Sequence, residues 1–289
     1  MKKISVVIVT YNSLHDIENC ISSIHHQNDL LENEIEIIIV DNSSENVFNE
    51  MKQIISPQYR DIIFIHNPTN GGYGQGNNIG ISVASSRIVC IANPDIILQQ
   101  PMFRKTIDLF SNDKNLALVG GKQIGGMDMS FWIRPEYEFF LCTTPIMMIL
   151  NKINLYLERF CFLSGALLFV DKEKFNQIGL FDDHIFLYRE ESDVTKRLLE
   201  KKFSTKFEKK FIYKHLIDDR TEVSDFSFRE EINSTRYYLN KFNYSFDKFY
   251  AQRLFSYRIL KCLYLITGKK NAYNKTVQIL NRFKKIKTE

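Results

Sequence analysis

The sequence predicts an α/β fold: a mostly parallel sheet with helices on both faces, followed by a helical appendage. Two observations carry this. Short apolar runs rich in β-branched residues, at residues 4–9, 35–40, 62–65 and 87–92, alternate with stretches of helical apolar spacing. The stretch 253–287 holds ten Lys/Arg and no Asp/Glu, interleaved with apolar residues. It reads as two basic amphipathic helices broken near Gly268.

The totals agree with this division. A chain of 289 residues, 44% hydrophobic and 25% charged, can bury a sizeable core and is not globally disordered. Its net charge of +4 is too small to argue for nucleic acid. The five cysteines show no close pairing, and no secretory signal is recognisable, which favours a reducing cytoplasm. Cys20 and Cys90 lie in apolar patterns and read as buried thiols. No apolar run is long enough to span a bilayer; residues 139–150 come closest and are interrupted by Pro145.

Taken in order, the first strand turns out at Thr10-Tyr11-Asn12-Ser13. Ser13 or Asn12 can cap the helix that follows, whose apolar face is Leu14, Ile17, Cys20, Ile21 and Ile24. The second strand ends in Asp41-Asn42-Ser43-Ser44, and a helix follows over 47–55. The third strand leads into the Asn/Gly-dense segment 67–80, a turn and then a helix to about residue 85. The fourth strand stops at Asn93-Pro94-Asp95, because Pro94 cannot donate to a ladder and biases Asn93 away from helix.

Polar residues therefore recur at the carboxyl ends of strands: Tyr11 and Asn12, then Asp41, then Asp95. In an open α/β sheet these ends share one edge, where ligands bind. Asp41 can accept a hydrogen bond from a base N–H or a sugar hydroxyl. Asp95 can hold a divalent metal against phosphates, or can simply close a turn. The segment Gly72-Tyr73-Gly74-Gln75-Gly76 lacks the dinucleotide register and follows the third strand, and no P-loop lysine pattern is present. A nicotinamide dehydrogenase and a P-loop enzyme are discounted.

In order and spacing, residues 5–12 (Ser-Val-Val-Ile-Val-Thr-Tyr-Asn), Val40-Asp41-Asn42-Ser43-Ser44, residues 70–80 and Asn93-Pro94-Asp95 resemble the family 2 glycosyltransferases, most closely their bacterial rhamnosyltransferase-like branch. The resemblance covers roughly residues 3–243. It implies a Rossmann-like glycosyltransferase A-type fold, inverting chemistry and a divalent metal, Mn²⁺ or Mg²⁺. It implies that Thr10, Tyr11, Asn12 and Asp41 line the nucleoside site and that Asn77, Asn78 and Asn93 lie near the donor. Asp95 would hold the metal on the diphosphate.

In the second half, residues 116–119 read as a strand followed by Gly120-Gly121, and 162–170 as a strand with a Ser-Gly turn. Trp132, the only tryptophan, can stack on a sugar or simply pack. Asp171 caps a short helix. Glu190, Glu191 and Asp193 fall in the first turn of a helix running to about residue 201, where the helix dipole favours acids. Residues 211–215 read as a strand ending in His215, and 228–242 as a helix.

By the same resemblance, Ser164 and Gly165 lie on the acceptor side, where Trp132 would stack on the acceptor sugar, and His215 approaches the metal, against the alternative of a surface imidazole. Where the family has Glu-Asp-x-Asp, this chain has Glu190-Glu191-Ser192-Asp193. Glu191 stands where the family's general base stands, one methylene longer; Asp193 and then Glu190 are the next choices. The expected domains are 1–245, catalytic, with about 1–120 binding the nucleotide-sugar and about 121–245 the acceptor, and 246–289, the basic extension.

The expected activity is metal-dependent, inverting transfer of a sugar to an acceptor hydroxyl in bacterial surface polysaccharide synthesis. L-Rhamnose from dTDP-rhamnose is the leading donor, and the acceptor is a lipid-linked or oligosaccharide glycan. The basic helices would meet the inner face of the cytoplasmic membrane, or else pack on the catalytic domain with a solvated face. The competing readings are a sugar nucleotidyltransferase, disfavoured because no Gly-rich, basic triphosphate loop stands near the N-terminus, and a non-catalytic sugar-nucleotide or glycan-binding partner.

Overall fold

The structure, a computed structural model, describes residues 1–126, 128–216 and 224–286. The end of the basic extension, 287–289, lies outside the described residues. The strands are β1 (Ile4–Thr10), β2 (Ile35–Asp41), β3 (Ile62–His66), β4 (Ile88–Ala92), β5 (Ile96–Leu98), β6 (Leu116–Ile124), β7 (Phe131–Ile133), β8 (Cys161–Leu163), β9 (Leu167–Asp171) and β10 (Ser204–His215). The helices are α1 (Leu14–His26), α2 (Glu45–Ile55), α3 (Gly72–Val83), α4 (Phe103–Asn112), α5 (Phe140–Lys152), α6 (Lys172–Gln177), α7 (Glu190–Glu200), α8 (Asp225–Lys241), α9 (Phe246–Ile266) and α10 (Lys270–Ile286).

Eight strands form one sheet in the order β3-β2-β1-β4-β9-β6-β10-β5, and β7 pairs with β8 separately. The pairs β1–β2, β1–β4, β2–β3 and β6–β10 are parallel; β9 runs antiparallel between β4 and β6, and β5 antiparallel to β10. The expected mostly parallel α/β sheet is thus observed, with two antiparallel insertions. Alternate residues of β1 face opposite layers: Ile4, Val6 and Ile8 meet α1, α2 and α4, whereas Val7 meets α3. Each such buried aliphatic side chain contributes roughly 1.5–3 kcal/mol.

The glycine-rich segment is mostly helix, and its glycines serve packing. A Cβ at Gly80 would stand 2.3 Å from Val7 Cγ1, and one at Gly76 2.7 Å from Val9 Cγ1. Only glycine lets α3 approach β1 this closely, so the carboxyl end of β1 and the start of α3 form one wall.

Several boundaries differ from the sequence expectation. Ser13 makes no capping bond; its hydroxyl donates to the Tyr11 carbonyl at 3.1 Å. β6 runs through Gly120-Gly121 to Ile124, because β10 pairs with it as far as Lys214. Residues 162–170 split into β8 and β9 around the turn 164–166. β10 begins at Ser204 rather than residue 211 and carries a register break between Glu208 and Ile212. Asp171 does cap α6, accepting from the Lys174 amide at 3.1 Å. The break between α9 and α10 falls at Gly268, whose φ is +69°. Phe228 and Ile232 of α8, Tyr250 of α9 and Phe283 of α10 share one apolar cluster, so the extension packs against α8.

Candidate active site

The insertion of β9 creates the site. Running antiparallel to β4, it starts beside the point where β4 stops, and the Asn93 amide donates to the Ala166 carbonyl at 2.9 Å. The turn 164–166 therefore lies against Asn93-Pro94-Asp95. β10 ends at the same edge: His215 pairs with Ile96, and the Leu216 amide donates to the Asp95 carbonyl at 2.8 Å.

His215 Nε2 lies 3.1 Å from Asp95 Oδ1. Its Nδ1 lies 3.3 Å from Gln123 Oε1, which also accepts from the Tyr213 hydroxyl at 3.3 Å and from Ser164 Oγ at 3.3 Å. With Nδ1–H donating to Gln123, a neutral His215 turns an unprotonated Nε2 toward a carboxylate oxygen. Two lone pairs that close need a proton or a cation between them. The carboxylate oxygen suits Mn²⁺ or Mg²⁺, and the imidazole nitrogen beside it favours the transition metal of the two. Among the described residues no group of three or more His, Cys, Asp or Glu is arranged to hold a metal, so the pair fits a cation that a ligand's phosphates and water would complete. Gln123 is the residue that sequence reasoning missed; nothing local in the sequence marks it.

On the other side of the same turn lies Glu191. The Gly165 amide donates to its carboxylate, while the Gly165 carbonyl accepts from the Tyr73 hydroxyl at 2.8 Å. A Cβ at Gly165 would stand 2.1 Å from Glu191 Oε1. Burial raises the Glu191 pKa above the usual carboxylate range, opposed by the Gly165 and Glu191 amides. Glu190 is buried, one of its oxygens has no partner, and burial together with the Glu191 charge pushes its pKa well up.

Asp193 is not brought to this crevice. It is fully buried, with Oδ2 held by Arg197 Nε at 2.7 Å and Oδ1 by Lys241 Nζ at 2.5 Å. Lys241 also binds Asp182 at 2.6 Å, which ties α8 to α7 and to the preceding loop. That loop enters α7 through two consecutive left-handed residues, Tyr188 (φ 69°) and Arg189 (φ 77°). Each such residue costs on the order of 1–3 kcal/mol. Arg189 is anchored to α8, donating to Thr235 Oγ1 at 2.8 Å and Glu231 Oε1 at 2.9 Å.

At the far end of the edge, Asp41 Oδ1 accepts from Thr10 Oγ1 at 2.7 Å and Ser43 Oγ at 2.9 Å. Its Oδ2 is buried and without a partner. The Ser43 hydroxyl oxygen accepts from the Asn12 amide at 2.8 Å, and Tyr11 beside it is 57% exposed. Asn77 is buried within α3, donating to the Tyr73 carbonyl at 2.9 Å, with its own Oδ1 unpartnered. Asn78 is engaged elsewhere: it bonds the Phe181 carbonyl and amide, each at 3.0 Å, and Asp183 at 2.8 Å. Trp132 is half-buried opposite Phe162 on the small sheet.

This sheet order, with carboxylates gathered on one edge and flanking helices, is the glycosyltransferase A-type fold. It is shared with the mannosyltransferase PcManGT from Pyrobaculum calidifontis, solved in complex with GDP-Man and Mn²⁺, at a TM-score of 0.61 and 12% identity over 97% of this chain and 84% of that one. It is shared too with S. aureus TarS 1–349 in complex with UDP, at a TM-score of 0.55 and 17% identity over 82% of this chain and 65% of that one.

The family description Glycosyl transferase family 2 matches residues 5–195, and the chain belongs to that family. The chain is 26% identical over 194 residues to the low-salt glycan biosynthesis hexosyltransferase Agl10 of Haloferax volcanii, covering 65% of this chain and 59% of that protein. It is 25% identical over 197 residues to the glycosyltransferase GlyG of Streptococcus pneumoniae serotype 4, covering 64% of each. The chain thus matches 59% to 64% of the length of these relatives.

Proposed function

We propose that the protein is an inverting glycosyltransferase that moves a sugar from a nucleotide-diphospho-sugar to an acceptor hydroxyl, with Glu191 as general base. The observation that carries this is the single turn shared by two sets of groups: Ser164 joins the Gln123–His215–Asp95 chain, and Gly165 seats Glu191. A proton acceptor and an anion-neutralising pair thereby flank one crevice.

The acceptor hydroxyl gives its proton to Glu191 as its oxygen attacks the anomeric carbon. The bond to the diphosphate breaks on the opposite face, so configuration inverts and no protein nucleophile is needed. Asp41, through its unpartnered Oδ2, accepts from a base N–H or ribose hydroxyl, with Thr10, Tyr11 and Asn12 beside it. Asp95 and His215 would hold a divalent cation, which when bound supplies Lewis-acid stabilisation of the leaving diphosphate. Asn77 and Asn93 stand beside the donor, Asn78 ties α3 to the loop at Phe181 and Asp183, and Trp132, Ser164 and Gly165 face the acceptor.

Residues 1–245 form the catalytic unit and 246–289 an extension that meets an anionic membrane bearing a lipid-linked acceptor. The basic residues of α9 and α10 support this, as does the exposed apolar row Phe255, Ile259 and Leu263. Among the described residues no helix is long and apolar enough to cross a membrane. The resemblance to the rhamnosyltransferase-like branch makes dTDP-L-rhamnose the first donor to try. The name of the Haloferax volcanii relative Agl10 supports a hexose donor class and a glycan product.

Thermal stabilisation by dTDP, UDP and GDP and their sugars, with and without Mn²⁺, tests the reading. A ligand at a hundred times its Kd stabilises the native state by about 2.7 kcal/mol. A metal-dependent shift with one nucleotide is expected, and its removal by chelation. No shift with any nucleotide would overturn the donor site.

A further inference from the structure

A second cleft lies between the start of α4, β6, β10 and the turn after α5. It encloses about 560 Å³ and is lined by Lys105, Lys122, Lys209, Lys210, Gln100 and Asn154 over an apolar floor of Phe211 and Ile212. The register break in β10 makes it. Gly121 pairs with Glu208 but Lys122 pairs with Ile212, so residues 209–211 bulge out of the ladder and bring two lysines to the opening. Lys122 and Gln123 are consecutive on β6 and point to opposite faces of the sheet, which separates this cleft from the Asp95–His215 crevice.

Three of the four lysines here are not paired off. Glu208 binds Lys105 at 2.9 Å, but among the described residues no carboxylate pairs with Lys122, Lys209 or Lys210. Like charges held together without counterions disfavour one another, and an anion with several oxygens relieves that repulsion while accepting charge-assisted hydrogen bonds. Gln100 and Asn154 add amide donors.

The neighbouring surface is apolar. α5 is apolar nearly all round yet buries only Met147 and Asn151, and Ile149 and Ile153 at its end are each 59% exposed. A helix of this kind, too short to span a bilayer, suits the edge of a lipid phase.

We infer that this cleft binds a phosphate-bearing ligand, such as a pyrophosphate group, either free or carried on a lipid whose chains lie against α5. The inference does not depend on the glycosyltransfer reading, since it uses none of the same residues.

Two probes separate the sources: inorganic pyrophosphate in metal-free buffer, followed by calorimetry, and co-sedimentation with vesicles of phosphatidylcholine alone or with phosphatidic acid. The variant is K122Q/K209Q/K210Q, with the exposed Lys52→Gln on α2 as the charge control and circular dichroism to verify folding. Binding of pyrophosphate weakened roughly tenfold or more in the triple variant alone supports the site and a free ligand. Binding only to phosphatidic-acid vesicles, lost in the triple variant alone, supports the site and a lipid-borne ligand. No binding of either probe, or equal binding by the folded triple variant, overturns the inference.

Discussion

The carboxylate of Glu191 rests on the bare Cα of Gly165, where a Cβ would stand 2.1 Å from Oε1. Its position is thus set by a residue 26 positions earlier, at the turn that also joins the Asp95–His215 pair through Ser164. Without a Cβ, Gly165 leaves room for the full length of the Glu191 side chain.

Gly165→Ala should displace that carboxylate while leaving the fold intact, because Gly165 is not among the glycines with positive φ. A shift near 1 Å costs about 10² in rate. Turnover should fall by about that factor, with nucleotide affinity and melting temperature little changed. Full turnover would show that Glu191 is not seated where it acts.

The acid limb of the pH–rate profile should lie above the ordinary Glu value, since burial raises Glu191 and activity requires its deprotonated form. Stability should move in the opposite sense. Glu190 binds its proton more tightly folded than unfolded, so its favourable contribution is complete below the unfolded value near 4.5 and is lost as pH rises through the folded one. Glu190→Gln should therefore stabilise the protein at pH 7 and not at pH 4, by denaturant melts at both.

Asp41→Asn should weaken nucleotide binding roughly ten- to a hundredfold by calorimetry. It replaces either a charged acceptor or the oxygen that now has no protein partner. Thr10 and Ser43 can still donate to the remaining oxygen.

Asp193→Asn should cost stability rather than chemistry. It removes the charge that Arg197 and Lys241 share, at roughly 1–3 kcal/mol given that both cations keep some solvent contact. The melting temperature should drop while kcat of the folded fraction stays within a few fold. A loss of kcat without a loss of stability would return Asp193 to the chemistry.

The sheet was legible because its signals are local. The β-branched run at 88–92 announces a buried strand, and Pro94 announces its end. The carboxylates at strand ends followed from the same alternation. What was hidden is made by pairings distant in sequence. Gln123 has no local signature, and its role arises only when β10 brings Tyr213 and His215 beside it. Asp193 looks like Glu191 in the sequence, but Arg197 and Lys241, the latter delivered by α8, tie it into ion pairs, whereas Glu191 meets the backbone of the turn at Gly165. The bulge in β10 shows no Gly or Pro, so residues 209–211 read as ordinary strand.

The most direct measurement is turnover of the preferred nucleotide-sugar by Glu191→Gln, with donor binding measured on the same preparation. The substitution keeps the length and one acceptor oxygen for the backbone amides and removes the base. The expected result is donor affinity within a few fold of wild type and transfer reduced by about 10² or more, the low end of what a positioned base contributes. Transfer at the wild-type rate, with binding intact, would contradict the assignment of Glu191 as base.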